Sequence, residues 1–362
     1  MKRYIVLEGL FDYETLSQNK ALSAAVTRWL RGFLAGVDYF FVGHEYSRVW
    51  PLGKLLLKSR NSSEGKILGY LNFFIFRKLN LFVRYFFAIY SALKNSSSED
   101  TLLIHSCLED KNKLTTQIRI AKLFKWLNGV KIICIVGDGY EPEGFDAYFF
   151  VAYHTYSLSA QKNKFLFEGV VQNQNLEAKN KSSKKDESKK IRLMYSGAID
   201  GHVSLKNLIK ALNQNDFKKT HELVITGICD NDELINFFNH QNNVEYLGFL
   251  SDQELFDTAK EVDVFINPRR VDFLPNDFNF PSKLLYYMQF NKPIISSVTK
   301  GVSPAFLECL IPIEGDSTES FIEALKNFNK LTLKEINVKM DKLNKIKKNL
   351  SKKRVAELLK GF

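Results

Sequence analysis

The eighteen residues Asn173–Lys190 (NQNLEAKNKSSKKDESKK), near the middle of the chain, hold no aromatic and no β-branched side chain. Such a stretch has too little apolar surface to offset the entropy of ordering it, so it reads as a linker. The chain is 362 residues long, which is too many for one comfortable core. Two domains are therefore expected, 1–172 and 191–330, joined by 173–190 and followed by a basic helical tail over 331–362.

Both halves alternate short apolar runs with helical patterns. In the first, strands are predicted at Tyr4–Leu7, Asp38–Val42, Thr101–His105, Val130–Val136 and Ala147–Ala152, and helices at Lys20–Leu34 and Lys113–Leu127. In the second, strands fall at Arg192–Tyr195, Glu222–Thr226, Val244–Tyr246, Val262–Ile266 and Pro293–Ser296. The helices between and after them are Ser204–Leu212, Asp232–Phe238, Asp252–Ala259 and Ser282–Phe290. The strands are rich in Ile, Val and Phe without polar alternation, as strands buried on both faces require. The expected class is α/β, two Rossmann-like doubly wound domains facing across a cleft, with ligands at the carboxyl ends of the strands.

Cys107, Cys134, Cys229 and Cys309 are far apart and form no C-x-x-C pair, which argues against a zinc site or a disulfide framework and fits a reducing cytoplasm. The opening MKRYIVLEGLF has only a short apolar run before Glu8 and reads as a first strand rather than a signal peptide. A net charge of +11 points to acidic partners. No nucleic-acid-binding motif is recognised.

Thirty Phe and fifteen Tyr are unusual, and many crowd into Ile67–Leu93. Arg77, Lys78 and Arg84 interrupt that region, so no run reaches the length of about 18–20 apolar residues that spans a bilayer. It reads either as a buried helix pair or as a helix lying in a membrane interface, aromatics inward and basic groups at the headgroups. The tail lysines, Lys334 to Lys353, form a solvated helix face or attract anionic lipid.

Several residues could carry chemistry. Gly197 in Met194-Tyr195-Ser196-Gly197-Ala198-Ile199 ends a strand where the chain turns toward a helix starting near Ser204. Backbone amides at such a junction can hold a diphosphate. Gly227 follows the next strand, and Gly248-Phe249-Leu250 the one after. Arg269 lies just past a strand end in Asn267-Pro268-Arg269. Phe280-Pro281-Ser282-Lys283 then opens a helix with proline in its first turn. Lys283 in that turn opposes the helix dipole, a placement that makes sense if an anion rests there. In the first half, Glu8-Gly9, His105 and Gly137-Asp138-Gly139 stand at strand ends facing the expected cleft.

The run VDVFINPR followed by FNFPSKLLYYMQFNKPIISS resembles the C-terminal signature of family-4-like bacterial glycosyltransferases, notably those of exopolysaccharide and O-antigen assembly. YSGAI, LVITG and EYLGFLSDQELFDTAKEVDVFINPR stand in the order that family shows, and the likeness covers about Arg192 to Gly301. It implies a GT-B fold, an acceptor-side N-terminal domain and a nucleotide-sugar-binding C-terminal domain, with retention of configuration and no metal cofactor. It further implies that Gly197, Arg269, Ser282 and Lys283 hold the donor diphosphate. Gly227, Phe249, Leu250 and Tyr286 would meet the base and ribose, and Asp138 and His105 would be catalytic. A turn role for Asp138 and a structural one for His105 remain open alternatives. Family members carry two glutamates eight positions apart where this chain has Phe278 and Tyr286, and near the Gly197 loop the family's basic pair is represented only by His202 and Lys206. A tyrosine cannot accept two hydroxyls as a carboxylate does.

The expected partners are a nucleotide sugar and a glycan acceptor, such as one on a polyprenyl diphosphate, met in the cytoplasm at the inner face of the plasma membrane. The alternative is a non-catalytic GT-B protein that binds a partner glycosyltransferase or a glycan.

Overall fold

A computed structural model of the chain describes residues 3–7, 24–44, 47–62, 64–74, 76–94, 100–106, 114–137, 139–171 and 190–361. Glu8, Gly9, Asp138 and all but the last residue of the expected linker lie outside the described residues. The chain divides into two compact units, Met1–Val170 with Leu350–Phe362, and Val171–Asn349.

The first unit is built on β1 (Arg3–Leu7), β2 (Asp38–His44), β3 (Arg60–Ser62), β4 (Gly65–Leu68), β5 (Thr101–Ser106), β6 (Lys131–Val136), β7 (Ala147–Phe150) and β8 (Lys164–Leu166). Their spatial order is β3-β4-β2-β1-β5-β6-β7-β8. Every neighbouring pair is parallel except the edge pair β3 and β4. Ile5, Val6 and Leu7 are fully buried, as are Ile132 to Val136, so the unbroken apolar runs do mark strands covered on both faces. Helices α2 (Arg77–Lys94) and α3 (Thr116–Asn128) cover one face, where Tyr85, Ile89 and Phe124 join Ile5, Leu7, Leu102, Ile104 and Ile132 in one core. Helix α1 (Ala24–Leu34) covers the other, with Phe33 edge-on to Phe149 at 5.3 Å. A short helix α4 (Tyr153–Leu158) links β7 to β8.

The second unit holds β9 (Ile191–Ser196), β10 (His221–Thr226), β11 (Val244–Tyr246), β12 (Val264–Asn267), β13 (Ile294–Ser297) and β14 (Ile311–Ile313) in the order β11-β10-β9-β12-β13-β14, all parallel. Numbered within the unit this is 3-2-1-4-5-6, the doubly wound order whose direction reverses between β9 and β12. One face packs α5 (Leu205–Leu212) and α11 (Thr318–Lys330) through Leu208, Ile209, Phe321 and Leu325. On the other, Tyr287 of α9 (Lys283–Tyr287) stacks on Phe265 at 4.4 Å, and Phe290 lies 5.4 Å from the same ring. The remaining helices are α6 (Asn215–Lys218), α7 (Asp232–Asn239), α8 (Asp252–Glu261) and α10 (Pro304–Leu307). Helix α8 begins with a reciprocal capping box between Ser251 and Glu254. The α/β class and the two units built on largely parallel sheets expected from sequence are therefore present.

Some elements differ from expectation. Ile67–Leu93 is not a helix pair: Ile67 and Leu68 end β4, a turn follows, and one helix begins at Arg77. Apolar periodicity alone does not separate a short buried strand from a buried helix turn, which is why β4 was hidden. The expected helix Ser282–Phe290 is α9, only five residues long, continued by a 3-10 turn at Met288–Phe290. The lysine-rich tail is two helices, α12 (Leu333–Asn349) in the second unit and α13 (Lys352–Lys360) in the first. Its charge is partly structural: Lys339 Nζ donates to the carbonyls of Glu308 at 3.2 Å and Leu310 at 2.7 Å.

Helix α13 packs on α1, buries Val355 and Leu359 completely, and accepts a 2.8 Å hydrogen bond from Tyr4 Oη at the Leu359 carbonyl. Leu359→Ala should cost about 2–5 kcal/mol. Native-state hydrogen exchange should show the loss at β1 and α1 and leave β9–β13 protected as before.

Candidate functional site

The reversal of strand order in the second unit places the ends of β9 and β12 side by side, and the candidate site is built there. Three successive strands end in glycines at positive φ: Gly197 (140°), Gly227 (136°) and Gly248 (65°). At Gly227 the need is steric as well as conformational, because a Cβ there would lie 1.9 Å from the Gly197 carbonyl oxygen. The amides step across the sheet edge, Gly197 N–H to Thr226 O at 3.0 Å and Gly227 N–H to Gly248 O at 2.8 Å. A Cβ on Gly197 would stand 3.1 Å from both Cε and Nζ of Lys283, so the bare loop leaves room for that side chain.

Two tyrosines clamp α9 onto β9. Tyr287 Oη accepts from Ser196 N–H at 3.0 Å, satisfying the last amide of β9. Lys283 Nζ donates to Tyr195 Oη at 2.9 Å and lies 4.3 Å from the centre of the same ring. The Tyr195 hydroxyl in turn donates to the Ala198 carbonyl at 2.6 Å, pinning the loop that follows Gly197. Burial pushes the Tyr287 phenol up to about 12 and the Tyr195 phenol well above its ordinary range, so both stay neutral.

Lys283 is half-buried, and its hydrogen-bond partner is thus a neutral phenol. Burial, and then repulsion from Arg269, pull its ammonium down from the ordinary 10.5 to about 7, while Asp200 opposes the shift. Each pKa unit corresponds to about 1.4 kcal/mol between the two protonation states. A bound anion that restored two units would therefore gain about 3 kcal/mol from this group. A cation held at such disadvantage beside a second cation makes an anion-receptive point.

Arg269 is buried and is fixed by two amides: it donates to Asn279 Oδ1 at 3.1 Å and to Asn276 Oδ1. Asn276 is itself fully buried, and its Nδ2 donates to the carbonyls of His202 at 3.1 Å and Arg270 at 2.7 Å. That settles which end of the amide is oxygen. His202 Nδ1, 2.9 Å from Asn276 Oδ1, must therefore carry a proton, since an amide oxygen only accepts. Asn276 thus positions Arg269 and His202 together.

Of the sequence candidates, Gly197, Arg269 and Lys283 come together at this strand-end edge, and Gly227 abuts Gly197. Ser282 is exposed at the start of α9, in helical conformation and without a capping hydrogen bond. Phe249 is exposed and Leu250 partly so, in the loop after β11. Tyr286 stands one residue before Tyr287. Its hydroxyl is buried with no hydrogen-bond partner among the described residues, within electrostatic reach of Asp252 at the start of α8. His105 is in the first unit, half-buried near the carboxyl end of β5, beside the reversal point of that sheet. Tyr195, Tyr287 and Asn276 were not among the residues that spacing singled out. The two tyrosines read as core aromatics, and Asn276 sits in an irregular loop whose long-range bonds leave no periodic trace.

This edge belongs to a recognisable class of fold. Residues 190–329 match the family model described as glycosyl transferases group 1. No curated protein sequence matches the chain. Among solved structures, it is similar to a trehalose-6-phosphate synthase, an enzyme of glycosyl transfer with retention, at a TM-score of 0.63 and 11% identity, over 99% of this chain and 98% of that one. It is also similar to the lipopolysaccharide outer core galactosyltransferase WaaB, at a TM-score of 0.59 and 12% identity, over 99% and 98%. A glycosyltransferase from Rickettsia africae ESF-5 gives a TM-score of 0.61 and 13% identity over 100% and 99%. The fold is that of the GT-B glycosyltransferases, and the family match supports a transferase of that type.

The depressed lysine sets the sign of a stability test. Unfolded, Lys283 would titrate near 10.5; folded, it titrates near 7. Between those values the unfolded chain holds the extra proton, so stability rises with pH there and its deficit is complete below about 7. Lys283→Met removes the buried charge. It should melt above the wild type at pH 6, by an amount worth about 2–4 kcal/mol, and the gap should close as pH approaches 10. A gap independent of pH would contradict the assignment.

Proposed function

We propose that the chain is a sugar-nucleotide-dependent glycosyltransferase that carries its donor on the second unit. The observation that carries the proposal is the Lys283 ammonium, held on a neutral phenol beside Arg269 at the reversal point of the sheet. In this reading the donor diphosphate lies against Lys283, Arg269, Ser282 and the Gly197 loop. The bond from sugar C1 to the diphosphate oxygen breaks and its electron pair leaves on the diphosphate. The acceptor hydroxyl oxygen forms the new bond to C1, and its proton passes to the departing diphosphate. Lys283 and Arg269 offset the charge that builds on the leaving group, a preorganised electrostatic contribution of the kind that dominates many enzymes.

Tyr286 supports the same placement. A buried hydroxyl without a partner is uncommon and calls for an explanation. Here a ribose hydroxyl would supply the missing bond, with Phe249, Leu250 and Gly227 on the base side. Retention of configuration is supported by the shared fold of trehalose-6-phosphate synthase, and a role in cell-surface polysaccharide by that of WaaB. The proposed acceptor is a glycan, including one linked to polyprenyl diphosphate, and His105 and Asp138 are proposed on the acceptor side. The two cations take the part a divalent metal would otherwise play. A second reading, a non-catalytic protein binding a glycan or another glycosyltransferase, is favoured by Phe278 and Tyr286 in the places of the family's glutamates.

Thermal shift against UDP, GDP, CMP and ADP, with mass spectrometry of products from the matching sugar donors, distinguishes the two. The proposal expects stabilisation by at least one nucleotide and transfer that survives EDTA. Lys283→Ala should lose the shift and slow transfer at least about 100-fold. No shift with any nucleotide would favour the non-catalytic reading.

A further inference from the structure

Helix α2 carries apolar side chains on two faces, and only one of them is used by the core. Leu81, Tyr85 and Ile89 are buried against the sheet. The opposite stripe, at helical spacing, consists of Phe76 just ahead of the helix, then Leu79, Val83, Phe87 and Tyr90, which are between 40% and 63% exposed. Phe76 stacks on Phe73, and Phe73 lies 5.9 Å from the Trp50 ring. That contact joins the stripe to the 50–56 loop, where Leu52 and Leu56 are more than 60% exposed. Single exposed apolar residues are ordinary on a protein surface, whereas a joined stripe and loop of this kind mark a docking surface.

The charge around it identifies what docks. From Ser47 to Lys94 the sequence holds nine Lys and Arg and one acidic residue, Glu64, which is bonded to Arg31 at 3.0 Å. Arg48, Lys54, Lys58, Lys78, Arg84 and Lys94 are all exposed. A groove of about 600 Å³ opens along α2, and in it the stripe residues Val83 and Phe87 meet Arg3, Lys66 and Arg84. Apolar and aromatic groups flanked by long cations that reach back toward water match the boundary between acyl chains and anionic headgroups. A second copy of the chain would bring the same positive surface against itself. Among the described residues no helix is long and apolar enough to cross a membrane, so the surface lies on the bilayer rather than through it.

We propose that this face of the first unit, the α2 stripe with the 50–56 loop, docks on membranes rich in anionic lipid, placing lipid phosphates at Lys66 and Arg84. The inference goes beyond the donor-site reading and does not depend on it, since none of these residues belongs to the second unit.

The test is cosedimentation of the full chain with phosphatidylcholine vesicles, alone or with about one-third phosphatidylglycerol, at about 0.05 M and about 0.5 M salt. The wild type should bind the anionic vesicles at low salt, bind neutral ones weakly, and release in high salt. Leu79→Asp with Phe87→Asp, and separately Lys78→Glu with Arg84→Glu, should each lower the partition coefficient at least about tenfold. Both variants should keep the wild-type melting temperature, which separates lost docking from lost folding. The proposal is overturned if the wild type stays in solution at low salt, or if the folded variants bind as it does. It is also overturned if sedimentation velocity shows a wild-type dimer, broken by the aspartates, with no vesicle binding.

Discussion

The Lys283 side chain, hydrogen-bonded to a neutral phenol, organises the carboxyl edge of the second unit. Lys283 on Tyr195 ties the start of α9 to the end of β9 across 88 residues of sequence, and Tyr287 on Ser196 repeats the tie one helical turn later. The glycines follow from that contact. Gly197 is bare where Lys283 passes, and Gly227 is bare where the Gly197 carbonyl passes. Arg269 completes the arrangement by keeping a second positive charge nearby, held by Asn276 and Asn279. On the proposed reading, the cost of holding two cations together is offset when an anion binds.

The opposite edge of the same sheet is treated differently. At the amino end of β9, Arg192 meets Glu222, Glu245 and Glu261 at 3.3, 2.8 and 3.6 Å, so its cation is surrounded by acids. One arginine in an exposed acidic network contributes modestly to stability. The contrast within one sheet shows how ordinary charge satisfaction looks in this protein, and how far Lys283 departs from it.

The strands of both sheets were legible because parallel strands buried on both faces leave unbroken apolar runs, as in Ile132–Val136. The strand-end placement of Gly197, Gly227 and Arg269 was legible too, since each follows an apolar strand run. What held them together was not. The tyrosine clamps join residues 88 and 91 apart, and Asn276 reaches His202 across 74, distances at which local spacing carries no information. The exposed side of α2 was hidden for a different reason: its aromatics repeat on both faces, so periodicity could not say which stripe the core would take. The helix dipole expected to act on Lys283 is small, because α9 is only five residues long, and burial and Arg269 lower its pKa instead.

On the proposed reading, Lys283 is largely unprotonated in the free protein at mildly alkaline pH and becomes charged when a diphosphate binds. Calorimetric titration with the stabilising nucleoside diphosphate at pH 8, in two buffers of different ionisation enthalpy, counts the protons taken up. About one proton per nucleotide is predicted for the wild type. Binding without proton uptake would contradict this reading.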